Sequence, residues 1–103
     1  MGDWDYFFDP EKNAWLIRER GISFEQIISL IEGGRLVRVL THPNKARYPN
    51  QLLYEVDVDG YIFIVPVVRE GKGLFLKTIY PSRKATKLTG KKGPSGQVEG
   101  GTE

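Results

Sequence analysis

Eight side chains between positions 42 and 84 give this sequence its capacity for chemistry. Metal-free RNA cleavage needs a base for the 2′-hydroxyl proton, an acid for the 5′-oxygen and cations for the growing phosphate charge. The chain supplies an imidazole, phenols and cations of the required types. They are His42, Lys45, Arg47 and Tyr48 in one group, and Lys77, Tyr80, Arg83 and Lys84 in a second. These residue types predict a protein that binds RNA and cleaves it.

Four of these residues are the candidate catalytic groups. His42 is the only histidine of the chain, and an imidazole can act as acid or base near neutral pH. Lys77 and Arg83 can stabilise the charge of a phosphate, Arg83 through two parallel donors. Tyr80 can donate a proton or stack against a base. The hypothesis requires these groups to converge on one phosphate-sized space.

The other four residues are candidates for RNA binding. Lys45, Arg47 and Lys84 can contact phosphates, and Tyr48 can stack on a base exposed in single-stranded RNA. Structural interpretations stay open, since loop histidines often only hydrogen-bond in turns and strand lysines often extend along a sheet edge. Tyrosines are often core residues, and runs of charge are often solvated. Convergence of the charges would favour catalysis, whereas a stripe of charges would favour binding.

Other kinds of site find no support in the sequence. It has no P-loop, dinucleotide fingerprint or nucleophile elbow, so no cofactor is predicted. With no cysteine, one histidine and no clustered acids, no metal site is predicted either. No apolar run approaches the roughly 20 residues that span a bilayer, and the acidic N-terminus is unlike a signal peptide. These features predict a cytoplasmic protein that does not act at a membrane.

The net charge of +2 conceals an uneven distribution. Residues 1–32 contain seven acids and three bases, a net charge of −4. Residues 33–98 contain twelve bases and four acids, a net charge of +8, and the last five residues add two acids. Six bases and no acid occur from Lys77 to Lys92. We therefore expect one end of the molecule to be electropositive and suited to a polyanion.

Periodicity and turn residues predict the element order β-α-α-β-β-β-β-α. Asp9 is a helix N-cap before a proline, and Ser23 opens a capping box for a second helix. Asp59-Gly60 predicts a tight hairpin, and the apolar segment 61–68 after it predicts a central strand. The predicted fold class is α+β, with an antiparallel sheet of four to five strands. A helical hairpin covers one face of this sheet, and a short helix ends the domain.

Three local predictions complete this fold. In the first helix Ala14, Trp15 and Ile17 are the candidates for burial, and Pro66 indicates a bulge or a strand end at that point. The last strand is predicted over 74–80, ended by Pro81. Its side chains should alternate, so that residues 74 and 76 face away from residues 77 and 79. Residues 1–89 are predicted to form one domain, and the glycine-rich residues 90–103 a disordered polar tail.

Two stretches give the chain a likeness to a known family. Phe8-Asp9-Pro10-Glu11-Lys12-Asn13, followed by Arg20-Gly21-Ile22-Ser23-Phe24-Glu25, resembles the opening of BrnT-type toxins. Lys77-Thr78-Ile79-Tyr80-Pro81-Ser82-Arg83-Lys84-Ala85-Thr86 resembles the last strand and arginine-rich helix of that family. With the loop at 42–50, the resemblance covers residues 4–89.

The resemblance implies a RelE-like fold and a toxin of a type II toxin–antitoxin pair that blocks translation as an endoribonuclease. It also implies a small antitoxin, encoded by the neighbouring gene, that buries the site. Operator DNA would be bound only through the complex of the two proteins. Arg83 matches the arginine after the family's last strand, while His42 and Lys77 fall in regions from which related toxins draw site residues.

Three positions depart from the family's pattern. Glu19-Arg20 stands where Lys-His is common, and Leu16 stands where an asparagine is usual. The departures leave two further hypotheses open. One is a non-catalytic protein that occupies RNA or a ribosomal site, and the other is a protein-interaction domain that has kept the fold without the chemistry.

Overall fold

The computed structural model describes residues 4–88 of the chain. Its elements are β1 (Asp5–Phe8), α1 (Pro10–Arg20), α2 (Phe24–Glu32), β2 (Leu36–Thr41), β3 (Gln51–Val58), β4 (Tyr61–Glu70), β5 (Gly73–Leu76), β6 (Tyr80–Pro81) and α3 (Arg83–Leu88). The fold class is α+β, which confirms the prediction at that level. The tail predicted at 90–103 lies outside the described residues.

Local signals place the helix ends where the sequence predicts them. The Asp9 carboxylate accepts the Glu11 N–H, and Gly21 ends α1 in the left-handed region with a φ of 68°. Ser23 and Gln26 form the predicted capping box of α2. None of the helices in the described part of the chain has the length and apolar character needed to cross a membrane.

In the part of the chain that the structure describes, a single sheet of six strands organises the fold. Its strand order is β1-β5-β4-β3-β2, and β6 also pairs with β4. β1 runs parallel to β5, whereas the other pairs are antiparallel. The prediction of a wholly antiparallel sheet of four to five strands was therefore wrong. β1 is an edge strand whose partner lies far along the chain. Its own side-chain pattern does not show whether it pairs in the parallel or the antiparallel direction.

β4 is the central strand, as its apolar character on both faces predicts. Asp59 and Gly60 join it to β3 with φ values of 54° and 89°, which suits a tight type I′ turn. Pro66 lies within β4, and its carbonyl accepts the Lys77 N–H at 2.9 Å. The N–H and the C=O of a strand residue point toward the same neighbouring strand. The N–H that Pro66 lacks would therefore point toward Lys77, where β5 has already ended. The prediction of a bulge or strand end at Pro66 was wrong, because β4 continues through Pro66 in register with Leu53 of β3 and it is the neighbouring strand that is interrupted.

The strand predicted over 74–80 is divided in two. β5 ends at Leu76, residues 77–79 leave the ladder, and β6 begins at Tyr80, so Pro81 lies inside a strand. The break shifts the alternation, because Ile79 is fully buried in the same core as Leu74 and Leu76. The prediction that Ile79 faces away from them was wrong. A sequence pattern cannot locate such a break when each half still alternates.

The main core lies between the sheet and the α1–α2 pair. Leu16, Phe24 and Ile27 from the helices are fully buried against sheet residues such as Val65 and Val67. Burial of each such side chain contributes about 1.5–3 kcal/mol. These contacts fix the helical hairpin on one face of the sheet, as the sequence predicts.

α1 presents a different side to the core from the predicted one. Ala14 and Ile17 are exposed and Trp15 is half-buried, whereas Asn13 and Leu16 are buried. The reason is a polar bridge to α2. The Asn13 side chain accepts the Phe24 N–H at 2.7 Å and donates to the Glu25 carboxylate at 2.8 Å. This bridge sets the rotation of α1 about its own axis.

α3 lies against the second face of the sheet. Val65 and Val67 face α1 and α2, so strand alternation places Ile62 on the opposite face. Ile62 is fully buried there, and its N–H donates to the Thr86 hydroxyl of α3 at 2.8 Å. Ala85 of α3 is also buried. The short C-terminal helix is thus anchored near the start of β4.

Candidate nucleic-acid interface

The loop between β2 and β3 carries His42, Lys45, Arg47 and Tyr48, which we call the loop cluster. The His42 and Tyr48 ring centroids are 4.4 Å apart, and the Arg47 guanidinium lies 5.6 Å from the Tyr48 centroid. Tyr48 is 38% exposed, so part of its ring is accessible to a base. Lys45 is exposed on the same loop. The structure therefore brings together an aromatic ring, an imidazole and a guanidinium.

A hydrogen bond fixes the form of the His42 imidazole. Its Nδ1 accepts the backbone N–H of Asn44 at 3.0 Å. A neutral imidazole holds one ring proton, which must then lie on Nε2. In this tautomer Nε2 can donate a hydrogen bond to RNA but cannot take a proton from a 2′-hydroxyl. Action as a general base would require His42 to give up its bond to Asn44.

Further hydrogen bonds hold the loop cluster at one end of the sheet. The Asn44 carbonyl accepts the Tyr48 N–H at 2.9 Å, and the Asn44 side chain accepts the Arg47 N–H at 3.2 Å. The Asn50 carbonyl accepts the Arg69 N–H at 3.0 Å, which ties the loop to the end of β4. The loop cluster is thus positioned by contacts within the protein.

The second group of predicted residues, Lys77, Tyr80, Arg83 and Lys84, is called the terminal cluster here. Lys77 is fixed by its backbone bond to β4, and Tyr80 lies in β6. The Lys77, Arg83 and Lys84 side chains are exposed, and Tyr80 is half-buried. Within residues 4–88, the three cations form no salt bridge. Their charge remains available to an anionic ligand.

The arginines of the β2 region have a different role, because they neutralise buried acids. Arg38 donates to the two Glu55 carboxylate oxygens at 2.9 Å and 3.3 Å. This hydrogen bond and the charge of Glu55 raise the pKa of Arg38. Arg35 lies 3.7 Å from Asp57 in a second ion pair. Arg35 and Arg38 neutralise acids of β3 through these ion pairs, so they are not candidates for RNA binding.

Two of the first backbone N–H groups of α3 are already bound within the protein. The Ser82 hydroxyl accepts the Ala85 N–H at 3.1 Å, and the Ser82 carbonyl accepts the Thr86 N–H at 3.1 Å. With six residues, α3 also has only a small macrodipole. Any attraction for phosphate at this point depends on the Arg83 and Lys84 side chains.

Arg20, at the end of α1, adds a cation that sequence reasoning did not assign to the site. Its guanidinium donates to the Ile79 carbonyl and lies 5.0 Å from the centroid of the Trp15 ring. Ile79 stands between Lys77 and Tyr80 in the chain, so Arg20 lies beside the terminal cluster. The contact joins residues 59 positions apart. The sequence showed only a cation before a helix-ending glycine, which gives no hint of this contact.

The loop cluster and the terminal cluster lie at opposite ends of β4. The His42 N–H bonds to β3 at Gln51, which pairs with Val68 near the end of β4. Arg83 directly follows Ser82, whose N–H donates to the Ile62 carbonyl near the start of β4. The six residue steps from Ile62 to Val68 span about 20 Å of strand. The structure therefore does not bring His42 and Arg83 to one phosphate.

Along the strand direction, Lys77 lies between His42 and Arg83, at the level of Pro66 on β4. It is three strands away from His42, which directly follows β2, and this corresponds to about 14 Å across the sheet. Of the predicted catalytic groups, Lys77, Tyr80 and Arg83 share one short segment, and His42 stands apart from them. The predicted RNA-binding residues are divided in the same way, with Lys84 in the terminal cluster and the other three in the loop cluster.

Comparison with protein-family models, curated proteins and solved structures found no match to this chain. Among the described residues, no three His, Cys, Asp or Glu side chains form a group that could hold a metal ion. The functional assignment therefore depends on the two clusters themselves and on the sequence resemblance.

Proposed function

We propose that this protein is the toxin of a type II toxin–antitoxin pair, with a RelE-like fold, that acts on RNA as a metal-independent endoribonuclease. Its reacting centre is the terminal cluster, with Lys77, Tyr80 and Arg83 as the groups that contact the scissile phosphate. Its protein partner is a small antitoxin encoded by the neighbouring gene. Operator DNA is bound only by the complex of toxin and antitoxin.

One observation carries the proposal. The terminal cluster and Arg20 place four cations and a phenol around a segment of eight residues, 77–84, without an acid in that segment. Such a concentration of unpaired positive charge is unfavourable in the free protein and becomes favourable when a phosphodiester binds. The resemblance of the same segment to the last strand and helix of BrnT-type toxins supports the assignment.

In this proposal each side chain of the terminal cluster has a separate role. Arg83 holds two phosphate oxygens with parallel donors, and Lys77 offsets the charge that builds on the phosphate during cleavage. The 2′-oxygen attacks the phosphorus while its proton passes to a solvent water. The bond to the 5′-oxygen breaks as the Tyr80 hydroxyl gives its proton to that departing oxygen, and Tyr80 then regains a proton from solvent. Lys84 contacts a neighbouring phosphate.

The loop cluster then binds a more distant part of the same strand. Tyr48 stacks on a base, and Arg47 and Lys45 contact phosphates. His42 donates a hydrogen bond from Nε2 and does not take part in proton transfer. This role differs from the acid or base that the sequence suggested, because His42 lies far from Arg83.

A second function is favoured by the same separation. Cations spread over about 20 Å of strand, from the loop cluster to Arg83, also suit a protein that binds RNA or a ribosomal site without cleaving it. In that case the clusters act together as a stripe that follows the nucleic-acid backbone. Both functions require the terminal cluster to contact phosphate.

Induced expression in growing cells, with and without the neighbouring gene, tests the proposal. Expression alone should stop growth and fragment cellular RNA, and co-expression of the neighbouring gene should restore both. Growth arrest with intact RNA would replace the nuclease by the non-catalytic binder. Normal growth in both cultures, with the protein present at equal levels, would contradict the toxin assignment.

A further inference from the structure

The sheet face opposite α1 and α2 is not covered by α3 near the end of β4, and there it carries an apolar groove that the proposed function does not use. The groove has a volume of about 410 Å³ and is lined by Phe7, Val68, Glu70, Gly73 and Phe75. Phe7 is 54% exposed and Phe75 is 40% exposed. They are direct partners in the β1–β5 ladder, so their side chains leave the sheet at neighbouring positions.

Gly73 gives this groove its shape. A Cβ at Gly73 would lie 3.1 Å from the Phe7 ring and 3.2 Å from the Glu70 carbonyl. Both distances are shorter than ordinary van der Waals contacts. The missing side chain therefore allows the Phe7 ring to approach the β5 backbone. The Phe7 and Phe75 rings thus both line the groove beside Gly73.

The rim of the groove is acidic, in contrast to the loop and terminal clusters. Glu70 lines the groove, and Asp5 lies on the same side of β1 as Phe7 because strand side chains alternate. Both carboxylates are exposed, and within residues 4–88 neither forms a salt bridge. One cation, Lys72, lies in the turn between β4 and β5. Two acids around apolar rings favour a cationic ligand with apolar surface.

We propose that this groove is a docking site for a partner protein that inserts an arginine side chain flanked by apolar residues. A guanidinium can lie flat on the Phe75 ring while its donors reach the Glu70 carboxylate. The apolar neighbours of that arginine then cover Phe7 and Val68. The inference does not depend on the proposed action on RNA, because it uses a different part of the sheet.

Other occupants fit this groove less well. Single-stranded RNA could stack its bases on the two rings, but its phosphates would approach Asp5 and Glu70 and be repelled. A second copy of this chain offers Arg38 between Val37 and Val39 on the β2 edge. That guanidinium is already bound to Glu55 at 2.9 Å, so it cannot be released without leaving a buried carboxylate unpaired.

Nuclear magnetic resonance with two blocked tripeptides tests the proposal on the full chain. The probes are acetyl-Leu-Arg-Leu-amide and acetyl-Leu-Glu-Leu-amide. The arginine probe should shift the ring signals of Phe7 and Phe75 and the amide of Glu70. It should bind about five-fold more tightly than the glutamate probe, as expected for an exposed ion pair combined with a cation–π contact.

Two substitutions and their controls complete this test. Glu70→Gln should remove the preference for the arginine probe, and Phe75→Ser should weaken both probes. Glu11→Gln on α1 and Val39→Ser on the β2 edge should change neither, and thermal unfolding checks that all four variants fold.

Three results would overturn the arginine-docking proposal. The first is equal affinity for the two probes, or shifts centred on the terminal cluster. The second is self-association in sedimentation that Phe75→Ser abolishes, which would assign the groove to a second copy. The third is an oligouridylate that shifts the Phe7 and Phe75 signals more than the arginine probe does, which would assign the groove to RNA.

Discussion

Asn13 illustrates how one buried polar side chain can determine the packing of a helix pair. Its side-chain oxygen is the acceptor for the Phe24 N–H at the start of α2. Asn13→Ala leaves that buried N–H without its acceptor, and we expect the free energy of unfolding to fall by about 1–3 kcal/mol. Urea unfolding measures the change, with Ser29→Ala at an exposed position of α2 as the control. A loss no larger than that of the control would contradict the role given to Asn13.

Two partly buried tyrosines make stability sensitive to alkaline pH. Burial raises the pKa of Tyr54 above its usual 10.0, although the charge of Arg69 opposes the change. Burial also raises the pKa of Tyr6, assisted by Tyr54 and Glu32. The unfolded chain therefore loses these protons at a lower pH than the folded protein. Their contribution to stability is complete below about pH 10 and is lost as the pH rises through the folded-state values.

Replacing Tyr54 tests this linkage. Tyr54→Phe cannot ionise, so its free energy of unfolding should decline less steeply above about pH 10 than that of the unmodified protein. Urea unfolding at a series of alkaline pH values measures the slope. Tyr61→Phe, at a tyrosine that is 37% exposed, is the matched control. Parallel curves for Tyr54→Phe and the unmodified protein would exclude Tyr54 as a source of the pH dependence.

At the scale of elements, Arg20 connects α1 to the irregular segment 77–79. Its bond to the Ile79 carbonyl supports a stretch that lies outside the strand ladder. Arg20→Ala should accelerate amide hydrogen exchange across 77–80 by about five- to ten-fold, which corresponds to the loss of one hydrogen bond. Arg18→Ala is the control, because among residues 4–88 Arg18 pairs only with its exposed neighbour Glu19.

The same variant should also weaken RNA binding, since it removes a cation beside the terminal cluster. Unchanged exchange at 77–80 together with weaker RNA binding would show that Arg20 acts only through its charge. Unchanged exchange and unchanged binding would contradict both roles.

Features of the fold that depend on neighbouring residues could be predicted from the sequence. Asp9, Ser23 and the Asp59-Gly60 pair act within a few positions, so they placed two helix starts and one hairpin correctly. The direction of β1 and the break after Leu76 depend on pairings between distant segments. The periodicity within one segment contains no information about those pairings.

The candidate site shows the same limit. Residue types identified the two groups of cations and aromatic rings. Ring and cation contacts join members of the loop cluster, and the terminal cluster shares the short segment 77–84. It was the register of β3, β4 and β6 that determined the distance between His42 and Arg83. Arg20 was missed because it becomes part of the site only through a contact with Ile79 on another element.

At the scale of the whole molecule, the terminal cluster should govern how strongly RNA binding depends on salt. Each lysine or arginine that neutralises a phosphate of single-stranded RNA contributes about 0.7 to the slope of log affinity against log salt. The triple variant Lys77→Ala, Arg83→Ala, Lys84→Ala should therefore reduce that slope by about 2.

Fluorescence anisotropy with a labelled oligouridylate across a range of salt concentrations measures the slope. The triple variant Lys12→Ala, Arg18→Ala, Lys72→Ala removes the same number of charges elsewhere and serves as the control. An equal reduction in the two variants would show that net charge, rather than the terminal cluster, governs binding.

The central claim is that the terminal cluster, and not His42, is the reacting centre. The direct measurement is the rate of cleavage of single-stranded RNA in EDTA. The variants are Lys77→Ala with Arg83→Ala, and His42→Asn, whose side-chain oxygen can still accept the Asn44 N–H. The double variant should lose at least about 100-fold in rate, because each group acts on the charge of the transition state. His42→Asn should cleave at nearly the unmodified rate. Loss of cleavage in His42→Asn, with activity retained in the double variant, would contradict the account.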